Sequence, residues 1–189
     1  VQYKCGDVNT TDNQIKPFFN IVNSGSADVA LTELTIRYYF TKDGTADLQF
    51  YVDWALLGGQ NITGTFFNGF IEMGFTSGAG SLSAGGQTGE IQTRWNKTDW
   101  SNFNESDDYS FDPTKTAYTS WENVTLYQNG VLVWGTEPGG ATEAPTETPT
   151  PLPTEDPTPT PSLVPGAGDV WMFPQNQSAD ENTSFTTEV

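Results

Sequence analysis

Val124-Thr125-Leu126-Tyr127-Gln128-Asn129-Gly130-Val131-Leu132-Val133-Trp134 is the stretch that decides the fold class. Two short runs of β-branched and aromatic residues flank Gln-Asn-Gly, and Asn-Gly at the joint accepts the positive backbone dihedrals of a tight hairpin. The reading predicts two adjacent antiparallel strands. Toward the N-terminus the same pattern repeats. Residues 34–40, Leu-Thr-Ile-Arg-Tyr-Tyr-Phe, form a strand-like run that closes on the turn Thr41-Lys42-Asp43-Gly44. Residues 48–54 and 17–22 read as further strands, the latter ended by Asn23-Ser24-Gly25-Ser26. Glycines and an Asn-Gly punctuate short runs at 62–67, 70–76 and 88–95. No sustained 3.6-residue apolar period occurs anywhere. The expectation is an all-β chain, an antiparallel two-sheet β-sandwich. Some 135 residues bury an adequate core for this without disulfides.

Composition narrows the function. Of 189 residues, 24 are acidic and 7 basic, a net charge of -17. Nucleic acid is thereby excluded as a partner, since phosphate contacts need Lys and Arg. Residues 1–138 hold 16 of the acids and all 7 bases, so every cation available for pairing lies there. The single cysteine, Cys5, allows no internal disulfide, and the absence of histidine removes the commonest general base and zinc ligand. No apolar run reaches membrane-spanning length and no signal peptide is visible, though a mature or excised fragment would lack one. No membrane partner is expected.

At Glu137-Pro138-Gly139-Gly140 the composition shifts. Three segments are expected: a folded module over 1–138, a Pro/Thr-rich linker over 139–168, and residues 169–189. The linker repeats Thr-Pro and carries glutamates but little apolar surface, so it cannot bury a core. It reads as a disordered, extended spacer between secreted modules. Asp169-Val170-Trp171-Met172-Phe173-Pro174 regains strand character, and 169–189 reads either as the opening of a further β module or as a tail.

Residues 94–111 raise the chemical questions. Here an alternating run ending at Arg94-Trp95 gives way to a polar loop that carries Trp100 and then the adjacent carboxylates Asp107 and Asp108. An indole among Asn, Thr, Ser and Asp has little apolar company, which suits exposure to solvent or ligand. Two neighbouring carboxylates repel unless a cation or hydrogen-bond donors offset them. Calcium takes six to eight oxygens, and Thr41, Asp43, Asn104, Asp107 and Asp108 supply candidates from two loops; a solvated acidic loop is the plainer alternative. Trp95, Trp121 and Trp134 sit in apolar strand patterns and read as core. Trp54 ends a strand beside Asp53. Exposed aromatic faces suit pyranose rings, and Asp, Arg and Gln suit their hydroxyl edges.

Three runs resemble family 3 carbohydrate-binding modules: residues 35–44, residues 96–111 with Asp-Trp-Ser-Asn and Asp-Tyr-Ser-Phe, and residues 127–138 with Asn-Gly-Val-Leu-Val-Trp-Gly. The resemblance covers 1–138. It implies a jelly-roll β-sandwich, and a structural calcium ion (Ca2+) whose ligands fall on Thr41, Asp43, Asn104, Asp107 and Asp108. It also implies a flat strip for crystalline cellulose, with an ion pair on Asp53 and Arg94, aromatics on Trp54 and Trp100, and polar anchors on Gln92 and Asn13. Arg37, Tyr39 and Tyr109 would line a shallow groove on the opposite face. Two departures stand out. The turn from Ala55 to Asn61 is short and lacks the aromatic many members carry there, and the N-terminal segment is abbreviated. The "b" subtype fits best. The implied function is non-catalytic cellulose binding, not enzymatic activity. The implied setting is a secreted, multimodular protein such as a cellulosomal scaffoldin, with a biomass sensor or a cellulase-associated module as alternatives. The expected partners are cellulose and other modules of the same polypeptide, and a monomer is expected.

Overall fold

The computed structural model describes residues 1–140. The expectations for the rest of the linker and for 169–189 lie outside the described residues. Twelve strands follow in order: β1 (Gln2–Cys5), β2 (Pro17–Asn20), β3 (Val29–Ala30), β4 (Leu34–Tyr39), β5 (Leu48–Ala55), β6 (Ile62–Phe67), β7 (Phe70–Phe75), β8 (Ser81–Leu82), β9 (Ile91–Lys97), β10 (Thr119–Ser120), β11 (Val124–Gln128) and β12 (Val131–Trp134). Among the described residues the helical elements are all single 3-10 turns.

Two five-stranded antiparallel sheets form the sandwich, one ordered β10-β1-β2-β9-β5 and the other β12-β11-β4-β7-β6. The chain passes from one sheet to the other between β4 and β5, back before β6, and across again before β9 and β11, the interleaving of a jelly roll. The deciding hairpin is present. Gln128 pairs with Val131, and Asn129 and Gly130 take positive φ of 50° and 79°, as the Asn-Gly joint predicts.

Alternation sets the core. Leu34, Ile36 and Tyr38 of β4 and Ile91, Thr93 and Trp95 of β9 point inward and are buried. Trp95 is fully buried at the centre of the interface, with its ring centroid 5.3 Å from Tyr38, 5.2 Å from Phe40 and 6.3 Å from Phe66. Thr93, a polar residue in this layer, donates its hydroxyl to the Pro17 carbonyl at 2.7 Å. Gly64 of β6 faces the ring of Phe50, where a Cβ would lie 2.6 Å from ring carbons, so the close approach of the sheets there requires glycine. Trp121 and Trp134 are only partly buried and pack against the rim of the core. Each keeps its indole N–H on a carbonyl at the edge, that of Ser110 at 2.9 Å and that of Trp121 at 3.5 Å.

Because Trp95 fills the space between the sheets, Trp95→Ala should leave a large cavity. The expected loss is about 3–5 kcal/mol of stability. Urea denaturation followed by far-UV circular dichroism measures it, and a loss below about 1 kcal/mol would contradict this account of the core.

Candidate functional site

β5 and β9 pair along one edge of the first sheet, with Tyr51 opposite Arg94 and Trp54 opposite Gln92. Gln49, Tyr51 and Asp53 alternate outward from β5 and are exposed. The register shifts between Val52 and Trp54, so the two consecutive residues Asp53 and Trp54 both reach the outer face. Gln92 and Arg94 occupy the same face of β9. Arg94 Nε donates to both carboxylate oxygens of Asp53, at 2.8 and 3.0 Å. Its guanidinium lies 4.2 Å above the Tyr51 ring, whose hydroxyl donates to Gln49 Oε1 at 3.1 Å. Trp54 is 47% exposed.

Trp100 follows the C-terminal end of β9 and is 51% exposed. Its φ of +58° is unusual for a bulky residue and costs about 1–2 kcal/mol. Local bonds hold it there. Trp100 N donates to the Lys97 carbonyl, and the Asp99 carboxylate accepts from Ser101 N and Oγ. Five residue steps of β9 separate Gln92 from Lys97, about 17 Å at strand rise. Asn13 is exposed on the loop before Ile15, which bridges Trp95, and Phe103 N donates to the Asp12 carbonyl. The N-terminal loop therefore lies beside the Trp100 loop. The result is an open face on which Trp54, the Asp53–Arg94 pair and Gln92 share two strands, with Trp100 and Asn13 on loops at one end. The clefts elsewhere on the sandwich, around Val22, Leu126 and Trp134, include none of these residues.

The two loops with calcium-like chemistry are also brought together. Thr41 N donates to Asp108 Oδ1 at 2.7 Å, and Asn104 N donates to Asp43 Oδ2 at 2.7 Å. Asp43 takes the positive φ of 52° that its Asp-Gly turn implied. Asp108 is buried and its Oδ2 has no partner. Burial pushes its carboxyl up to about 7; the Thr41 amide opposes this, and the nearby Asp107 and Asp43 add to it. Such a carboxylate lacks a counter-charge, and the donor set fits a hard cation. Among the described residues no three acidic side chains converge closely enough to hold a metal by themselves, so carbonyl or amide oxygens would have to complete the shell. Asn104 Oδ1 is partly engaged, capping the 3-10 turn Glu105–Asp107 and accepting from Ser106 Oγ at 2.6 Å.

Two buried ionisable groups beside this site had no signal in the sequence. Lys97 is fully buried; its ammonium donates to the carbonyls of Asp43 and Asn102, both at 2.6 Å, and sits 4.3 Å over the Phe103 ring. Glu105 is also buried, and burial, followed by Asp108, Asp12 and Asp7, raises its carboxyl to about 9. On the opposite face Arg37 donates to Glu72 at 2.8 Å and stacks between Phe70 and Tyr127. Tyr39 shares its hydroxyl with Thr125 at 2.8 Å, and Tyr109 bonds the Thr136 carbonyl at 3.2 Å.

A family model described as "Cellulose binding domain", CBM_3, matches residues 1–135. Endoglucanase A of Paenibacillus lautus is 60% identical over 146 residues, covering 73% of this chain and 21% of that enzyme. The chain thus spans about a fifth of this relative. Among solved structures, module CBM3b of the cellulosomal cellobiohydrolase 9A from Clostridium thermocellum is 44% identical with a TM-score of 0.71, covering 74% of this chain and 97% of that one. CBM3b of the major scaffoldin subunit ScaA from Acetivibrio cellulolyticus is 38% identical with a TM-score of 0.70, covering 72% and 95%.

The two cations of this region should differ in what their mutation costs. Arg94→Gln breaks a surface pair and should cost under about 1 kcal/mol. Lys97→Met leaves the Asp43 and Asn102 carbonyls without their donor and should cost about 2–3 kcal/mol. Urea midpoints of the two variants test this, and equal midpoints would refute it.

Proposed function

Because the chain belongs to the CBM_3 family of cellulose binding domains, we propose that its module binds crystalline cellulose through the open face of β5 and β9. Cellulose binding is the property that the family's description names. The residue assignment is our own: Trp54 and Trp100 stack on sugar rings, the Asp53–Arg94 pair fills the platform between them, and Gln92 and Asn13 anchor hydroxyl groups. One observation carries it, the exposure of two indoles along one edge of the sheet with a self-neutralised ion pair on the same face. Cellulose is uncharged and presents flat rings. A face that stacks and hydrogen-bonds without net charge is its physical complement. Retaining or inverting hydrolysis of the common kind needs two facing carboxylates about 5–9.5 Å apart. Asp53 is engaged by Arg94, and Asp107 and Asp108 are adjacent, so we read the module as non-catalytic.

We assign Thr41, Asp43, Asn104, Asp107 and Asp108 to a calcium ion. When bound, the ion supplies a positive charge that neutralises the carboxylates. Asp108 is the residue that most needs it, because Oδ2 is buried and unpartnered. Thr41 N and Asn104 N already hold two of the carboxylates in place.

The parent reads as a secreted, multimodular protein, since cellulose lies outside the cell and several relatives, among them Endoglucanase A of Paenibacillus lautus, carry this module as a small part of longer chains. Among the described residues no helix is long and apolar enough to cross a membrane. A scaffoldin parent agrees with the ScaA likeness, and the 60% identity to an endoglucanase favours an enzyme-borne module as the second reading.

Binding isotherms on microcrystalline cellulose test the face. Burying an indole against a ring is worth roughly 1–3 kcal/mol, so Trp54→Ala and Trp100→Ala should each weaken binding about tenfold with the fold intact. Affinity should change little with salt. Wild-type binding by the double variant would reject the assignment.

Chelation tests the metal. A ligand of the folded state stabilises it by mass action, so EDTA should lower the melting temperature of the wild type more than that of Asp108→Ala. A wild type indifferent to chelator after verified metal removal would exclude the site.

A further inference from the structure

Tyr51 lies at the centre of this face, and its two polar contacts run to different neighbours. Its ring supports the Arg94 guanidinium from below at 4.2 Å. Its hydroxyl donates to Gln49 Oε1 at 3.1 Å. Each contact fixes a long side chain that would otherwise sample many rotamers. Arg94 is held by Nε on Asp53 and by one face on Tyr51, and among the described residues its terminal N–H groups donate to no other group. Gln49 is held by its carbonyl oxygen. The amide nitrogen therefore turns away from Tyr51, and among the described residues it donates to no other group. Gln49 faces the same way as Tyr51 by strand alternation, and it sits two residues nearer the Trp100 end.

We propose that Tyr51 is a positioning residue of the binding face, and that Gln49, which it orients, is a further contact residue that donates hydrogen bonds to sugar hydroxyls between Trp54 and Trp100. The proposal rests on the reading of the β5–β9 face as the cellulose-binding surface. Its physical basis is pre-organisation. Ordering a long side chain on binding costs affinity, and a side chain already held loses less freedom when the ligand arrives. A guanidinium stacked flat also presents a planar surface that a pyranose ring can cover, which a freely rotating one does not. The tyrosine hydroxyl selects the orientation of the Gln49 amide, so that donors rather than the acceptor meet the ligand.

Isotherms on microcrystalline cellulose, with melting temperatures as the control for folding, separate the possibilities. Gln49→Ala should weaken binding about two- to fivefold, the worth of a net hydrogen bond. Tyr51→Thr keeps a strand-favouring residue and should weaken binding at least as much, by releasing both neighbours. Tyr51→Phe keeps the ring under Arg94 and should recover part of the loss seen in Tyr51→Thr. If Tyr51 acts only through its neighbours, Tyr51→Thr should change binding by less than about twofold in a Gln49→Ala/Arg94→Ala background. A full effect of Tyr51→Thr in that background would overturn the positioning role. If Trp54→Ala weakens binding while Gln49→Ala and Tyr51→Thr bind like wild type, the proposal fails and the face assignment survives. If Trp54→Ala also binds like wild type, the face assignment fails and takes the proposal with it.

Discussion

The pairing of β5 with β9, broken once at Asp53, is the constraint on which the proposed binding face depends. A regular strand sends successive side chains to opposite faces, so Asp53 and Trp54 would point in opposite directions on an unbroken ladder. The register shift between Val52 and Trp54 brings both outward. Asp53 then meets Arg94 across the ladder, and Trp54 still stands opposite Gln92. Without the extra residue, either the ion pair or the indole would be lost from the surface. The inward side of the same strands is anchored by Trp95, which cannot shift while Tyr38, Phe40 and Phe66 surround it. A rigid interior thus fixes the spacing of an exterior that has few contacts of its own.

Much of this was legible in the sequence. The Asn-Gly hairpin, the Asp43-Gly44 turn and the alternating runs depend on local sterics, which a short stretch of sequence carries in full. Trp100 was recognisable as exposed because its neighbours are polar. The pairing of Asp53 with Arg94 depends on a distant strand, and only the family resemblance suggested it. Tyr51 was open to the same period-two reading that places Asp53 outward, but an aromatic in an apolar strand looks like core until the partner strand is known. Trp121 and Trp134 show the converse, since an apolar pattern at the rim of a sandwich leaves one side of each ring uncovered.

The buried ionisable groups were not legible at all. Lys97 stands in a polar run, Asn96-Lys97-Thr98-Asp99, which reads as solvated loop. Its burial follows from long-range geometry, because two loops close over the end of β9 and offer carbonyls at 2.6 Å. Glu105, between Asn104 and Ser106, is hidden in the same way by the N-terminal segment, whose Thr10 carbonyl accepts from the Glu105 amide. The groups that close over both residues act through main-chain atoms, the carbonyls that accept from Lys97 and the Thr10 carbonyl that holds the Glu105 backbone, and main-chain atoms leave no mark on residue type.

The clasp made by Lys97 has one more consequence. Its ammonium joins the Asp43 turn to the Asn102 carbonyl, two residues beyond Trp100, so the loop that carries the indole and the loops that carry the carboxylates close as one unit. Anything that orders this unit at one end lowers the entropy still to be lost at the other. Coupling of that kind is reciprocal by thermodynamic necessity: a cation that tightens the hold on polysaccharide must itself be held more tightly, by the same factor, when polysaccharide is bound. If the proposed calcium ion binds there and is coupled in this way, a module docked on a fibre would retain it in surroundings poor enough in calcium to strip the unbound protein.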